Sequence, residues 1–493
     1  MVSAGPRARR SRSRSGEAEE VALIGPILLA DAVAAYTARS AGATSTGPRL
    51  ARPRPFRGAA PDPHSADRRL VVTAALVLRL GFAAVQPQFR PYADAADFDR
   101  IAVSLVRDGD YPPSTVALSS GPSAFRSPAY PYLLAAVYRL TGTTTSTSRF
   151  TVARVLSATL STLTVVLIGL VALLIWGPAA ALTALGLGAI YLPLVTIGDA
   201  MLSEPLFIAA MLGAVASTLM ARRSDRRLRW AMLAGTFTGA AALTRTNGII
   251  LAPVIAAGLW PSPRLDRRSL GLVGAMAATV LTVMAPWAIR NTLAFHQFVP
   301  LTTQTGFSLA GTFNDVSRND KRSPAAWRVP ILAPYDRLAR PGDNEAALDQ
   351  RYRSVALDYA RNDPGYVAAV AYFNLRRLLD LQGPGTEHPA ARESGISKAI
   401  SDLDVYFFYG LGILAVGALL MGARLEIPSF AWVVPPALVL SLIFVTGYMR
   451  YRLSLDPFLI LLVAGAFAAG HRHTWRSAGD GMAVRDETLG SHV

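Results

Sequence analysis

The chain contains no cysteine, which excludes disulfide scaffolds, thiolate zinc sites and cysteine nucleophiles. Lysine occurs only at Lys321 and Lys398, so the basic charge is almost entirely arginine. No glycine-rich nucleotide loop and no HExxH spacing is present, which removes the usual sequence support for nucleotide-driven or zinc-hydrolase chemistry. Neither an internal repeat nor a strand-rich stretch stands out. No cofactor is implied, and nothing in the sequence supports a divalent metal.

Hydrophobicity and arginine are both plentiful. Of 493 residues 52% are hydrophobic, and the net charge is +16. A mean hydropathy of +0.32 accompanies a pI near 10.5. High apolarity with high basicity is the profile of a multi-span membrane protein with basic loops. Nucleic acid is not the expected partner, because that reading needs a clustered basic face on a soluble fold. Here the arginines fall in a tail and between hydrophobic runs, which suits an anionic membrane surface.

Residues 1–68, with the run RARRSRSR, read as a disordered basic cytoplasmic tail. Within it, 21–36 is moderately apolar but interrupted by Pro26 and Asp31, and its role stays open. Glu17, Glu19 and Glu20 argue against a signal peptide. Apolar runs then follow at 70–85, 152–176, 179–196, 202–220, 230–243, 249–260, 270–287, 405–421, 430–446 and 453–469. They predict an all-α polytopic bundle of about ten transmembrane helices. Arg79 lies inside the first run and should face the bundle or snorkel. If the N-terminus is cytoplasmic, so are ARRSDRRLR (221–229), PSPRLDRRS (261–269), GARLEIP (422–428) and the tail 471–493. Most of these are basic, as the positive-inside rule requires. The expected layout is therefore an N-terminal catalytic module (69–288), an outer helical loop region (289–404) and C-terminal spans (405–470). A first outer loop, 86–151, lies within the catalytic module.

With that topology, unusual polar residues gather on the outer side. Asp94, Asp97 and Arg126 lie in the first outer loop. Asp199 and Glu204 sit in GDAMLSEPLF, Arg245 and Asn247 in LTRTNG, Arg290 and Asn291 in APWAIRN, and Arg450 and Arg452 in GYMRYRLSLDP. Each has a plainer reading. Asp199 suits a helix N-cap, Glu204 a structural pair with Arg245 or Arg290, and Arg450 and Arg452 interfacial anchors. Asp99 and Asp108 read as solvated charges and Asp110 as a turn residue. Arginines beside an apolar cavity suit a phosphate on a lipid, because guanidinium offers a fixed donor fork. A nearby carboxylate suits deprotonation of an acceptor hydroxyl.

At these residues the chain resembles the GT-C class of membrane glycosyltransferases, in the branch of protein O-mannosyltransferases and lipid A aminoarabinose transferases (glycosyltransferase family 39-like). YADAADFDRIAVSLVRDGDY resembles the branch's acidic first-loop motif and FRSPAYPYLLA its Arg/Lys-Pro-Pro motif, with Ser127 where the first proline would stand. GDAMLSEPLF, APWAIRNTLAFHQFVPLTTQTG and MRYRLSLDPFLILL resemble its later outer-face segments. The resemblance covers roughly residues 70–470. It implies a GT-C-like bundle and inverting transfer of a hexosyl or pentosyl group from a polyprenyl-phosphate donor to an extracytoplasmic lipid, glycan or protein acceptor. Asp94 would be the base, with Asp97 its rival, and Asp199 and Glu204 supporting acids. Arg126 would hold the lipid phosphate, with Arg245, Arg290, Arg450 and Arg452 as further donor-binding candidates. The competing readings are a transporter or flippase of an anionic lipid-linked sugar, and a scaffold subunit; membrane lipids surround the chain in all three.

Overall fold

The computed structural model describes residues 65–470 except 87–88, 117–120, 261–265, 331–333, 341, 383–394 and 421–426. All of them lie in the compact unit Ala60–Val493. The sequence readings for the segment 21–36, nearly all of the N-terminal tail, most of GARLEIP and the C-terminal tail fall outside the described residues.

Every expected apolar run is helical, and no strand occurs among the described residues. The chain is an all-α membrane protein. In order come α1 (Ser65–Ala84), α2 (Asp94–Arg107), α3 (Ala129–Thr141), α4 (Ser146–Trp176), α5 (Pro178–Ile190), α6 (Leu192–Thr196), α7 (Glu204–Ala221) and α8 (Arg227–Thr244). After a 3-10 turn, Thr246–Ile250, follow α9 (Leu251–Leu259), α10 (Arg267–Phe295), α11 (Thr305–Thr312), α12 (Asp315–Asn319), α13 (Glu345–Asn362) and α14 (Pro364–Leu378). The last elements are α15 (Lys398–Leu420), α16 (Ser429–Ile443), α17 (Met449–Arg452) and α18 (Asp456–Gly470).

By length and composition α4, α7, α10 and α15 each suffice to cross a membrane. They differ in position. The apolar windows of α4 and α7 are 78% and 94% buried, whereas those of α10 and α15 are 22% and 28% buried. The first two form the centre of the bundle. The other two expose residues such as Leu281 and Ile413, as the rim of a bundle in lipid must.

Small residues set one close helix contact. Gly235 and Gly239 form a G-x-x-x-G stripe on α8, and a Cβ at Gly235 would stand 2.4 Å from the Met276 carbonyl oxygen on α10. Dispersion at that separation, rather than a hydrophobic drive, holds membrane helices together.

The run 179–196 is two helices, not one. Pro193 has no N–H to donate, and its ring conflicts with a continuing helix, so the chain turns extended at Tyr191 before α6 begins. The carbonyls freed at the end of α5 are met by Arg79 of α1. Its guanidinium donates to Gly188 at 3.1 Å and Ala189 at 3.2 Å, and also to Ser161 Oγ at 2.9 Å. Arg79 is fully buried and faces the bundle. A guanidinium at the negative end of a helix dipole is well placed electrostatically, and such partners are what permit a break in a membrane helix.

A separate core forms above the bundle. Phe307, Phe313, Tyr335, Leu348, Tyr352, Tyr366 and Val370, from α11, α13, α14 and their connections, pack together with Phe125 from the first loop. The two long loops thus share one hydrophobic core, and the residue beside Phe125 is Arg126.

Candidate active site

The first loop carries a short amphipathic helix, α2. Asp94 and Asp97 occupy its first turn, where the N-terminal end of the dipole favours negative charge. Ala93, immediately before, has φ 49°, a region costly for a residue with a Cβ. That geometry is held at the residue that aims Asp94.

Asp94 and Asp97 share one arginine. Arg126 donates from Nη2 to Asp94 Oδ1 at 2.8 Å and from Nε to Asp97 Oδ2 at 2.8 Å. Asp97 also accepts from Arg100 at 2.8 Å. The second oxygen of Asp94 accepts from Arg450, whose Nε lies 3.4 Å from Glu204 Oε1. Glu204 in turn accepts from Arg245 at 2.6 Å. The result is a continuous series, Arg245–Glu204–Arg450–Asp94–Arg126–Asp97–Arg100, with one more arginine than acids. Tyr451 is stacked between two members, its ring centroid 4.3 Å from the Arg245 guanidinium and 5.1 Å from that of Arg450.

Burial pushes the Asp94 carboxyl up, but the guanidinium groups of Arg126 and Arg450 outweigh it and hold Asp94 well below the usual carboxylate range. Burial likewise works against the Arg126 cation, and Asp94 and Asp97 more than restore it. Both groups are charged at neutral pH.

The remaining predicted residues separate. Arg290 donates to the Ser123 carbonyl at 2.6 Å and stacks on Trp287 at 5.0 Å and Tyr111 at 5.6 Å. It thereby braces the Arg126 loop rather than the acids. Tyr111 bonds the Arg126 carbonyl at 2.8 Å. Arg452 pairs with Asp380 and lies 3.5 Å from Asp456. Asp199 is not the N-cap of α7, which begins at Glu204 after Ser203. It accepts instead from Arg154 of α4 at 2.7 Å. Asn247 donates to Ser441 at 3.4 Å.

A further plain reading needs correction. Asp99 is buried, accepting from Tyr138 at 2.7 Å and Arg149 at 3.1 Å. It pins α2 to α3 and α4. Asp108 and Asp110 are exposed, as expected.

Sequence reasoning missed Glu345, at the first residue of α13. Its carboxylate accepts from Ser123 Oγ at 2.8 Å, the Ala124 N–H at 2.8 Å and the Thr303 hydroxyl. Burial pushes the Glu345 carboxyl up, partly offset by those hydrogen bonds. Arg126 lies three positions after Ser123, so the second loop region fixes the first at its most charged point.

Two cavities adjoin the series. The larger is lined by residues including Thr196, Ser401, Asp404, Arg450 and Arg452. The smaller is lined by Glu204, Phe207, Arg245, Asn247, Tyr451 and others. Among the described residues no group of three or more His, Asp or Glu side chains is placed to hold a metal ion.

An arginine-rich pocket beside an apolar bundle is the arrangement anticipated for a lipid phosphate, and comparison with known proteins finds a family match over part of the chain. Residues 133–302 match the model of the dolichyl-phosphate-mannose-protein mannosyltransferase family. The resemblance read from the sequence holds over that segment. The oligosaccharyltransferase of Archaeoglobus fulgidus in its apo form superposes with a TM-score of 0.52 at 15% identity, over 85% of this chain and 52% of that one. This chain therefore has a GT-C-like fold and spans about half the length of that enzyme. Two further similar structures are the S. cerevisiae protein O-mannosyltransferase Pmt1-Pmt2 complex bound to the sugar donor and ArnT from Cupriavidus metallidurans bound to undecaprenyl phosphate. The first has 19% identity, 52% and 37% coverage and a TM-score of 0.36. The second has 16% identity, 83% and 78% coverage and a TM-score of 0.40. The fold assignment rests on the oligosaccharyltransferase alone. No curated protein matches the chain in sequence.

Proposed function

We propose that the chain is an integral membrane glycosyltransferase that moves a sugar from a polyprenyl-phosphate donor to an extracytoplasmic acceptor with inversion. The observation that carries this reading is the series of ion pairs centred on Asp94, with its excess arginine and two adjoining cavities. A lipid phosphate brings the negative charge that such a series lacks, and guanidinium is the group best matched to it. The family match over 133–302 supports the same class of donor. In this topology both termini are cytoplasmic, and the Asp94 end of the bundle faces outward.

In the reaction, the acceptor hydroxyl oxygen attacks the anomeric carbon as the bond from that carbon to the phosphate oxygen breaks. The polyprenyl phosphate leaves with the electron pair, and the acceptor proton passes to Asp94. Arg126 holds the phosphate, and Arg450 and Arg245 balance its growing charge. Asp94 is a weak base while two guanidinium groups hold it. A phosphate that draws Arg126 away removes one of them and raises the carboxylate's proton affinity, bringing it closer to the range useful for general-base work. Donor binding would thus prepare the base.

The test is to incubate purified protein with a panel of polyprenyl-phosphate sugars and acceptor extracts, followed by mass spectrometry. Turnover lost in Asp94→Asn, with fold and membrane insertion intact, is the expected result. Full activity in that variant refutes the role of Asp94. Binding without turnover in the wild type replaces the enzyme with a carrier.

A further inference from the structure

The larger cavity contains a group that the mechanism leaves unused. Asp404 lies near the start of α15, is only 8% exposed, and lines the cavity with Thr196, Ser401, Arg450 and Arg452. Its Oδ2 accepts from the Thr196 hydroxyl at 2.8 Å. Its Oδ1 is buried and makes no hydrogen bond. A carboxylate oxygen held out of water without a donor is costly. In a membrane bundle such a group marks a site by default. Arg450 lines the same cavity and joins it to Asp94. A ligand that satisfies both side chains carries an anionic group and, a few bonds away, a hydroxyl able to donate.

We infer that Asp404 is a specificity-determining residue, accepting a hydrogen bond through Oδ1 from a hydroxyl of the donor's sugar while the phosphate lies toward Arg450. Thr196 holds the other oxygen, so the carboxylate is presented in one orientation. Thr196 belongs to α6, the short helix created by the break at Pro193, which ties the recognition wall to that break. Ser401, one turn earlier on α15, adds a hydroxyl to the same wall. Carboxylate recognition of a hydroxyl discriminates sharply against sugars that lack or invert it, because the buried oxygen is then left bare.

This inference rests on the donor reading above, and the experiment separates the two. Purified full-length protein in nanodiscs is titrated with undecaprenyl phosphate alone and with undecaprenyl phosphate carrying mannose, glucose or arabinose. The wild type is expected to prefer at least one sugar-bearing lipid over the bare phosphate. In Asp404→Asn and Asp404→Ala that preference falls roughly ten-fold, about the size of one buried hydrogen bond, while affinity for the bare phosphate is unchanged. Asp404→Asn keeps the side-chain shape, and an unaltered melting midpoint shows that it folds. Equal loss for both ligands makes Asp404 merely structural and overturns the inference, as does an undiminished preference. A wild type that binds the bare phosphate but prefers no sugar overturns the inference and leaves the phosphate site standing. One that binds neither overturns the donor reading and this inference with it.

Discussion

Replacing Glu345 tests whether the outer helices hold the charged loop in place. Its carboxylate collects three donors, from Ser123, Ala124 and Thr303, in a position 2% exposed. In Glu345→Ala the Ala124 N–H has no water to turn to, and an orphaned buried donor costs about 1–3 kcal/mol. The two hydroxyls can rotate toward other acceptors and lose less, and the truncated side chain adds a cavity cost. The total is on the order of 3 kcal/mol. Glu345→Gln behaves differently. Burial raises the carboxyl of Glu345, so the charge is itself under penalty, and a neutral isostere recovers that penalty while losing charge-assisted bonds. Its net effect should be roughly 1 kcal/mol. Denaturation in detergent measures both, and donor titration reads the consequence for Arg126. The Ala variant should bind polyprenyl phosphate more weakly at unchanged helix content. If its stability lies within about 0.5 kcal/mol of wild type, as for a surface change, the clamp does not exist.

Two further expectations follow from particular contacts. Asp94 is depressed in the folded state, so its stabilising contribution is complete above the unfolded carboxylate value of about 3.9 and erodes as pH falls below it. The melting midpoint of wild type minus that of Asp94→Asn should therefore be flat from pH 7 to about 4 and shrink at lower pH; a difference that grows there contradicts the pairing. Gly235→Ala places a methyl 2.4 Å from a backbone oxygen and should lower stability by about 1–3 kcal/mol. Gly81→Ala on α1 meets nothing within 4 Å and should be neutral or slightly stabilising.

The helices were legible in the sequence because hydropathy is a local signal, and every run except 179–196 falls largely on one helix. The break at Pro193 was not read, although the proline was visible, because 179–196 has the length of a single span. Residue type and position brought Asp94, Arg126, Glu204, Arg245 and Arg450 onto one list. Their order of pairing was beyond reach, since the Asp94–Arg450 pair spans 356 residues and leaves no local trace. Glu345 opens an ordinary amphipathic helix, and nothing in EAALDQRY distinguishes it from a surface acid. Asp404 carried a weak signal as an acid at the edge of an apolar run. Asp99 was misread for a related reason: Tyr138 and Arg149, which bury it, lie 39 and 50 residues away.

Arg79 bears on the order in which the protein is assembled. A charged arginine near the middle of a lone helix raises the cost of insertion by about 2.5–3.5 kcal/mol, and α1 is not among the four helices long and apolar enough to span by themselves among the described residues. Besides the Ala75 carbonyl one turn back on the same helix, its acceptors are Ser161, Gly188 and Ala189, 82, 109 and 110 residues downstream. During synthesis those partners do not yet exist when α1 emerges. The helix Ser65–Ala84 is therefore seated late, docking only once α4 and the broken α5–α6 pair have entered the bilayer, and its arrival closes the break that shapes the cavity wall.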